Sequence, residues 1–189
     1  MSVFETMEIE EEVEDVLTFA EGHRIYFDTT AFMSDGFRVF LNRYEYWLAE
    51  NGVCLYTIQS VVNQLEYFSK SENHDTAQKA QSVLELVHEL TEKNLLKIKM
   101  QSNTSCAPKQ NLLLLALHKR RKRSIAIVTC NTKLANDILL QNQLKSCKGS
   151  YIYCFDISNG GILYNYDNKA DHNLIISDIM EILASWKEK

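Results

Sequence analysis

The sequence predicts an α/β fold, built as a three-layer sandwich around a mainly parallel sheet of about five strands. Short β-branched and aromatic runs alternate with stretches in which apolar residues recur at helical spacing. Such alternation is typical of parallel sheets covered by helices on both faces. The 189 residues are enough for one domain with a sizeable core. We therefore predict one domain over residues 22–189, with an arm appended over residues 1–21.

The predicted strands and helices follow one another with short polar breaks. Turn residues, helix-capping residues and glycines mark most of the boundaries. The predicted strands are residues 24–28, 53–56, 95–100, 125–129 and 151–155, with an edge strand over 162–164 that pairs back through a Gly-Gly turn. The predicted helices cover about residues 36–50, 58–68, 77–90, 109–121, 131–142 and 171–186.

Acidic residues are concentrated at the amino terminus. Residues 1–21 contain eight of the 25 acids and no lysine or arginine, so the remainder carries 17 acids against 20 bases. Apolar residues at helical spacing predict a helix in this arm. The arm is either a solvated helix or an acidic segment that lies over a basic surface and competes there with nucleic acid.

Composition argues against several classes of protein. Hydrophobic residues make up 46% of the chain and charged residues 24%, as in ordinary globular domains. No apolar run approaches a membrane span, and the acidic start differs from a signal peptide. The five cysteines include no C-x-x-C pair, which favours reduced, buried thiols over a zinc site. These features predict a cytoplasmic location and no membrane partner.

Polar residues stand at the ends of two predicted strands. Asp28 closes the first strand, and Thr129 and Asn131 stand at the end of the fourth. In parallel sheets, working residues gather at the carboxyl ends of the strands. Asp28 is either the cap of the next helix or a metal ligand. Glu66 lies beside the apolar face of the helix over 58–68.

Three stretches resemble the motifs of PIN domains, and together they span roughly residues 24–155. Ile25-Tyr-Phe-Asp28-Thr-Thr-Ala-Phe32 is similar to the opening strand, in which an aspartate precedes Thr or Ser and a small residue. Val61-Val-Asn-Gln-Leu-Glu66 resembles the second motif, which ends in a catalytic glutamate. Ile125-Ala-Ile-Val-Thr-Cys-Asn-Thr-Lys-Leu-Ala135 resembles the last motif, an apolar strand followed by Thr-x-Asp-x-x-Leu-Ala. The resemblance implies cleavage of RNA, or of flap-like DNA in some branches, with bound Mg²⁺ or Mn²⁺.

The resemblance also implies the residues of the site. Asp28, Glu66 and Asn131 take the catalytic and metal-binding positions, and Asp35 is a further candidate metal ligand from the following loop. Clustered carboxylates hold divalent ions, which activate water and stabilise the charge that grows on the scissile phosphate.

This chain departs from the PIN pattern at two of the four acidic positions. Asn131 stands where the family has an aspartate, and Lys109 or a neighbour stands where the third motif has one. An amide supplies an oxygen without charge, so we expect weak metal binding or none. Asp35 or Asp137 could compensate for the missing acids. Alternatively, Asn131 could be an introduced substitution that inactivates an enzyme, although this would not explain Lys109.

The run His118-Lys-Arg-Arg-Lys-Arg123 ends the helix before the fourth strand. It is either a solvated helix end, where cations are favourable, or a patch that binds phosphates. It precedes the amino end of its strand, so we expect it on the rim opposite Asp28 and Asn131. The candidate nucleic-acid contacts are Lys119, Arg120, Arg121, Lys122 and Arg123, with Thr29 and Thr129 at the strand ends.

Three functions remain open from the sequence. The first is a metal-dependent endoribonuclease acting on RNA phosphodiesters. The second is a catalytically impaired PIN-like scaffold or a subunit that binds RNA or protein. The third is an unrelated receiver-like or Rossmann-like domain, which lacks a nucleotide-binding loop here. RNA and a protein partner are the expected partners, and an aromatic helix over 37–48 would suit a homodimer.

Overall fold

The computed structural model describes residue 16 and residues 18–100, 107–143 and 149–166. These residues form an α/β fold in which helices flank a central, mostly parallel sheet. The predicted fold class is confirmed. The sheet has six strands where about five were expected, because the predicted edge strand joins it.

The first five strands run parallel, and the sixth runs antiparallel to the fifth. Their order across the sheet is third, second, first, fourth, fifth, sixth. The second strand begins two residues later than predicted, since Val53 N donates to Leu48 O and still belongs to the preceding turn. The strands are β1 (Arg24–Phe27), β2 (Leu55–Ile58), β3 (Leu96–Lys99), β4 (Ile125–Val128), β5 (Ile152–Ile157) and β6 (Leu163–Asn165).

Six helices with defined bounds connect the strands in the described part of the chain. Residues 18–22 are also helical, whereas residues 1–15 and the helix predicted over 171–186 lie outside the described residues. None of the described helices has the length and apolar character needed to cross a membrane. The helices are α1 (Thr29–Phe32), α2 (Asp35–Glu50), α3 (Gln59–Phe68), α4 (His74–Glu92), α5 (Pro108–Lys119) and α6 (Thr132–Gln143).

Side-chain caps fix where several helices begin. Ser34 Oγ accepts from Phe37 N at 3.2 Å at the start of α2. Asn73 Oδ1 accepts from Thr76 N at 2.9 Å, which starts α4 three residues earlier than its apolar pattern predicted. A cap satisfies one of the backbone N–H groups that the first helical turn leaves free. Local sequence therefore sets these boundaries.

The hairpin of β5 and β6 packs closely against α2. Gly161 lies in the turn between the two strands with φ +76°, a backbone conformation that favours glycine. A Cβ atom at Gly161 would stand 2.5 Å from Phe40 N. Phe40 and Tyr44 of α2 are buried in the core, which leaves Tyr46 and Trp47 as the exposed aromatic side chains of this helix.

The sheet has a switch point between β1 and β4. The chain passes from β1 to β2 on one side, whereas β4 lies on the other side of β1. Connections that leave neighbouring strands in opposite directions open a crevice at the carboxyl ends of those strands. Phe27 pairs with Val128, so Asp28 and Thr129, the residues that follow, lie side by side at this crevice.

Candidate functional site

Asp28 forms the centre of a hydrogen-bond network at the switch point. The residue is 4% exposed. Oδ1 accepts from Ala31 N at 2.8 Å, and Oδ2 accepts from Thr129 Oγ1 at 2.8 Å. Thr30 Oγ1 lies 2.8 and 3.0 Å from the two carboxylate oxygens and accepts from Cys130 N at 2.9 Å. Asp28 therefore caps α1 and also joins the end of β1 to the end of β4.

The protonation of Asp28 reflects two opposed effects. Burial raises the pKa of this carboxyl above its ordinary value, because the charged form loses its hydration. The hydrogen bonds from Ala31, Thr129 and Thr30 lower the pKa but do not cancel the effect of burial. Asp28 is therefore a buried acid that binds a proton more readily than an exposed aspartate.

A small cavity of about 140 Å³ lies beside Asp28. Asn131 follows β4 and Lys109 stands in the first turn of α5, and both side chains line this cavity together with Asp28. The polar residues that line it are Asp28, Thr29, Thr30, Gln64, Lys109 and Asn131. The cavity therefore brings together three of the four positions that correspond, by the sequence resemblance, to the acidic residues of a PIN site.

Glu66 does not converge with the other candidate residues, contrary to the expectation. It is exposed on α3 and does not line the cavity. Gln64 lines it instead, and its Oε1 accepts from Thr29 Oγ1 at 2.6 Å. Two residues are separated by about 200° around a helix, so Gln64 and Glu66 face nearly opposite directions. The spacing from buried Ser60 and Val61, four and three residues earlier, was the signal that could have identified Gln64.

Asp35 also lies away from the cavity. It is the first residue of α2, and its carboxylate forms an exposed ion pair with Lys79 of α4. The hydrogen bond from Lys79 lowers the pKa of the Asp35 carboxyl. Asp35 borders a separate groove between α2 and α4. The structure therefore does not place it where it could complete a site with Asp28.

Asn131 and Asp137 are engaged in other interactions. Asn131 Oδ1 accepts from Leu134 N at 3.0 Å, which caps the start of α6. Asp137 lies six residues after Asn131, on α6, and its Oδ2 is 2.7 Å from Lys109 Nζ. Both members of this ion pair are about one-third exposed, at 34% and 38%. Asp137 thus balances the charge of Lys109 and does not line the cavity beside Asp28.

The residues of this cavity do not fit a site for two divalent metal ions. Mg²⁺ and Mn²⁺ sites of nucleases need several carboxylate oxygens with free lone pairs. Asp28 supplies the one carboxylate among the lining residues, and its oxygens already accept hydrogen bonds. Lys109 stands where a further acid would be needed, and its side chain has no oxygen to offer a metal ion. No group of three His, Cys, Asp or Glu residues suited to a metal occurs within residues 18–100, 107–143 and 149–166.

The two threonines proposed as nucleic-acid contacts are buried and form hydrogen bonds within the protein. Thr129 is fully buried and donates to Asp28. Thr29 is 4% exposed and donates to Gln64. Both hydroxyl hydrogens are therefore used in hydrogen bonds within the protein, which corrects their assignment as contacts to a nucleic acid.

The basic run before β4 divides into one buried and several exposed side chains. Arg120 is 4% exposed, and its Nε and Nη1 donate to Ser150 O at 3.0 Å and Gln141 O at 2.8 Å. Arg120 is therefore a structural residue, which corrects its assignment to nucleic-acid binding. The exposed cations, which we call the basic corner, are Lys119, Arg121, Lys122 and Arg123.

The basic corner lies on the edge of the sheet opposite Asp28. The corner immediately precedes the amino end of β4, whereas Asp28 follows the carboxyl end of the parallel neighbour β1. A phosphate bound at the corner is therefore separated from Asp28 by the length of a strand. The expected position of the run is confirmed.

Comparisons of the sequence with models of protein families and with curated proteins find no match. The resemblance to PIN domains therefore stays a prediction, and the position of Glu66 outside the cavity counts against its second motif.

Proposed function

We propose that this chain is a PIN-like domain without metal-dependent catalysis that acts as an RNA-binding subunit. One observation carries the proposal: the cavity at the switch point contains a single carboxylate, Asp28, beside Gln64, Lys109 and Asn131. The oxygens of Asp28 and the amide oxygens of Gln64 and Asn131 accept hydrogen bonds from the protein. This polar network ties the strand ends to the helices that follow them.

The basic corner is the surface that would bind RNA. Its four exposed cations, Lys119, Arg121, Lys122 and Arg123, lie within five consecutive positions. Lysine and arginine side chains bind phosphates, and the release of counterions from the nucleic acid makes such binding dependent on salt. RNA held at this corner lies away from Asp28, so binding does not require cleavage.

An endoribonuclease is the second candidate function, and the position of Asp28 and Asn131 at the switch point favours it. In open α/β sheets the crevice at the carboxyl ends of the strands is where ligands bind. In this alternative, Mg²⁺ or Mn²⁺ would have to displace the hydrogen bonds that Asp28 accepts. Those hydrogen bonds and the nearby Lys109 are the reasons that we place it second.

Removing charge from the basic corner tests the proposed RNA binding. A variant with Lys119→Gln, Arg121→Gln and Lys122→Gln should bind a single-stranded RNA of about 12 nucleotides more weakly. The slope of log K against log salt should fall by about 2, since each lost phosphate contact on a single strand removes about 0.7. Fluorescence anisotropy of a labelled RNA over a range of salt concentrations measures both quantities.

The matched control removes two exposed lysines and one exposed arginine outside the basic corner. Arg43→Gln, Lys70→Gln and Lys133→Gln together change the net charge equally, and they should leave the salt slope close to that of the unmodified protein. Equal effects of the two triple variants would show that binding is unspecific. Unchanged RNA affinity in the corner variant would contradict the proposed binding surface.

A further inference from the structure

A second polar cleft, of about 390 Å³, opens on the edge of the sheet where the parallel strands begin. Arg24 is the first residue of β1, Lys97 lies in β3, and Arg123 stands two residues before β4. All three line the cleft, which is closed on one side by the turn at Asn51 and Gly52. Three strands therefore bring one cation each to the same place.

The sheet register forces this convergence. Tyr26 of β1 pairs with Tyr56 of β2, which in turn pairs with Lys97 of β3. On the other side, Arg24 N donates to Ser124 O at 3.2 Å, which holds the residue after Arg123 next to the start of β1. The backbone of the sheet thus fixes the positions of the three cations.

The cleft carries an excess of positive charge. Glu21 is the one acidic residue among those that line it, against Arg24, Lys97 and Arg123. His23 also borders the cleft, but its ring stacks on Phe19 at 4.1 Å and burial lowers its pKa, which favours the neutral form. The net charge of the lining residues is therefore positive at neutral pH.

The Arg24 side chain at the edge of the cleft is positioned by two tyrosines. It interacts with the buried hydroxyl of Tyr26, a residue that does not itself line the cleft. The Arg24 guanidinium lies 5.2 Å from the centre of the Tyr56 ring, which holds it in place by a cation–π contact. A guanidinium that is already positioned loses little side-chain freedom when a ligand binds, so Arg24 is preorganised to bind an anion.

We propose that this cleft binds a phosphate group, carried either by a free nucleotide or by the end of an RNA strand. Arginine presents a planar fork that matches phosphate oxygens, and lysine adds a strong point charge. The volume of 390 Å³ lies within the range of small-molecule sites. The site is separate from the cavity beside Asp28, since no residue lines both.

Binding of a phosphate at the end of an RNA strand rests on the proposed RNA binding. Binding of a free nucleotide does not depend on it. Arg123 belongs both to the basic corner and to the cleft. An RNA strand whose backbone lies along Lys119, Arg121 and Lys122 could therefore place its terminal phosphate beside Arg123. A free nucleotide would need the cleft alone.

Titration with inorganic phosphate and with adenosine monophosphate, at constant ionic strength, tests the cleft directly. We expect one saturable site by calorimetry, and affinity lowered about tenfold or more by Lys97→Gln and by Arg123→Gln. Both side chains are exposed, so these substitutions should leave the fold intact. Lys133→Gln, which removes the same charge at the opposite edge, is the control and should bind normally.

An RNA pair separates the two sources of phosphate. An oligonucleotide with a 5′-phosphate should bind more tightly than the same strand with a 5′-hydroxyl, and Lys97→Gln should abolish this difference if the ligand is an RNA end. Binding of adenosine monophosphate without any preference between the strands would identify the nucleotide as the source. Absence of binding by phosphate and by adenosine monophosphate, with equal affinity for the two strands, would overturn the phosphate site. The salt-dependent RNA binding of the basic corner would survive that result.

Discussion

Arg120→Ala should lower the free energy of unfolding by about 3 kcal/mol, a large share of the stability of a domain of this size. The substitution removes the donors that satisfy Ser150 O and Gln141 O. A carbonyl left buried without a partner costs about 1–3 kcal/mol, and the packing of the long side chain is lost as well. Urea denaturation followed by circular dichroism measures the change.

The neighbouring residue provides the control for this prediction. Arg121 is exposed, so Arg121→Ala should change the stability by about 0.5 kcal/mol or less. Stability effects of equal size at Arg120 and Arg121 would contradict the assignment of Arg120 to the interior. The two substitutions should rank the other way in RNA binding. When both variants are folded, Arg121→Ala should lower the RNA affinity more than Arg120→Ala does.

Asp28→Ala should destabilise the protein by about 2–3 kcal/mol, through the loss of a helix cap and of buried hydrogen bonds. The change leaves Ala31 N and the hydroxyls of Thr30 and Thr129 without their acceptor. Asp28→Asn should cost less, because its amide oxygen can still accept from Ala31 N and the threonine hydroxyls can rotate to accept from the amide nitrogen. Denaturation of the two variants side by side measures the difference.

The stability of the unmodified protein should also depend on pH through Asp28. Burial raises the pKa of this carboxyl in the folded state, so the folded protein binds a proton more readily than the unfolded chain. The contribution of Asp28 to stability is therefore greatest below the pKa of the unfolded chain, and it decreases as the pH rises through the higher pKa of the folded state. Relative to Asp28→Asn, the unmodified protein should lose stability as the pH rises above about 4, the ordinary pKa of an aspartate in an unfolded chain. A gain in relative stability as the pH rises would contradict the predicted direction of the pKa shift.

The fold could be predicted because its signals are local. The apolar run of β4 is buried throughout, as its β-branched residues suggested. The edge strand β6 followed from the turn at Gly160 and Gly161. Periodicity and turn chemistry act over a few residues, so a single sequence contains enough information to place these elements.

The candidate site was predicted less completely because it depends on which side of a helix faces inward. The motif comparison selected Glu66, whereas the rotation of α3 turns Gln64 towards Asp28. The basic run gave no sign that Arg120 is buried while Arg121 is exposed. The carbonyls that Arg120 binds belong to residues 21 and 30 positions away, so tertiary structure alone identifies them.

Asp28, the candidate catalytic residue, is also the residue that caps α1. The sequence left two alternatives for Asp28, a helix cap or a metal ligand, and the hydrogen bond from Ala31 N establishes the cap. A carboxylate that also bridges β1 and β4 has a structural reason to be present at this position. The presence of an acid at the end of β1 is therefore weaker evidence for a nuclease than the motif alone suggested.

Titration with Mn²⁺, followed by thermal unfolding of the full chain, tests the account most directly. A ligand that binds the folded state raises the unfolding temperature in a saturable way. We predict no saturable rise at millimolar Mn²⁺, the same response in Asp28→Asn as in the unmodified protein, and no cleavage of bound RNA. A saturable rise that Asp28→Asn abolishes, together with cleavage of RNA in Mn²⁺, would contradict the account and establish the nuclease alternative.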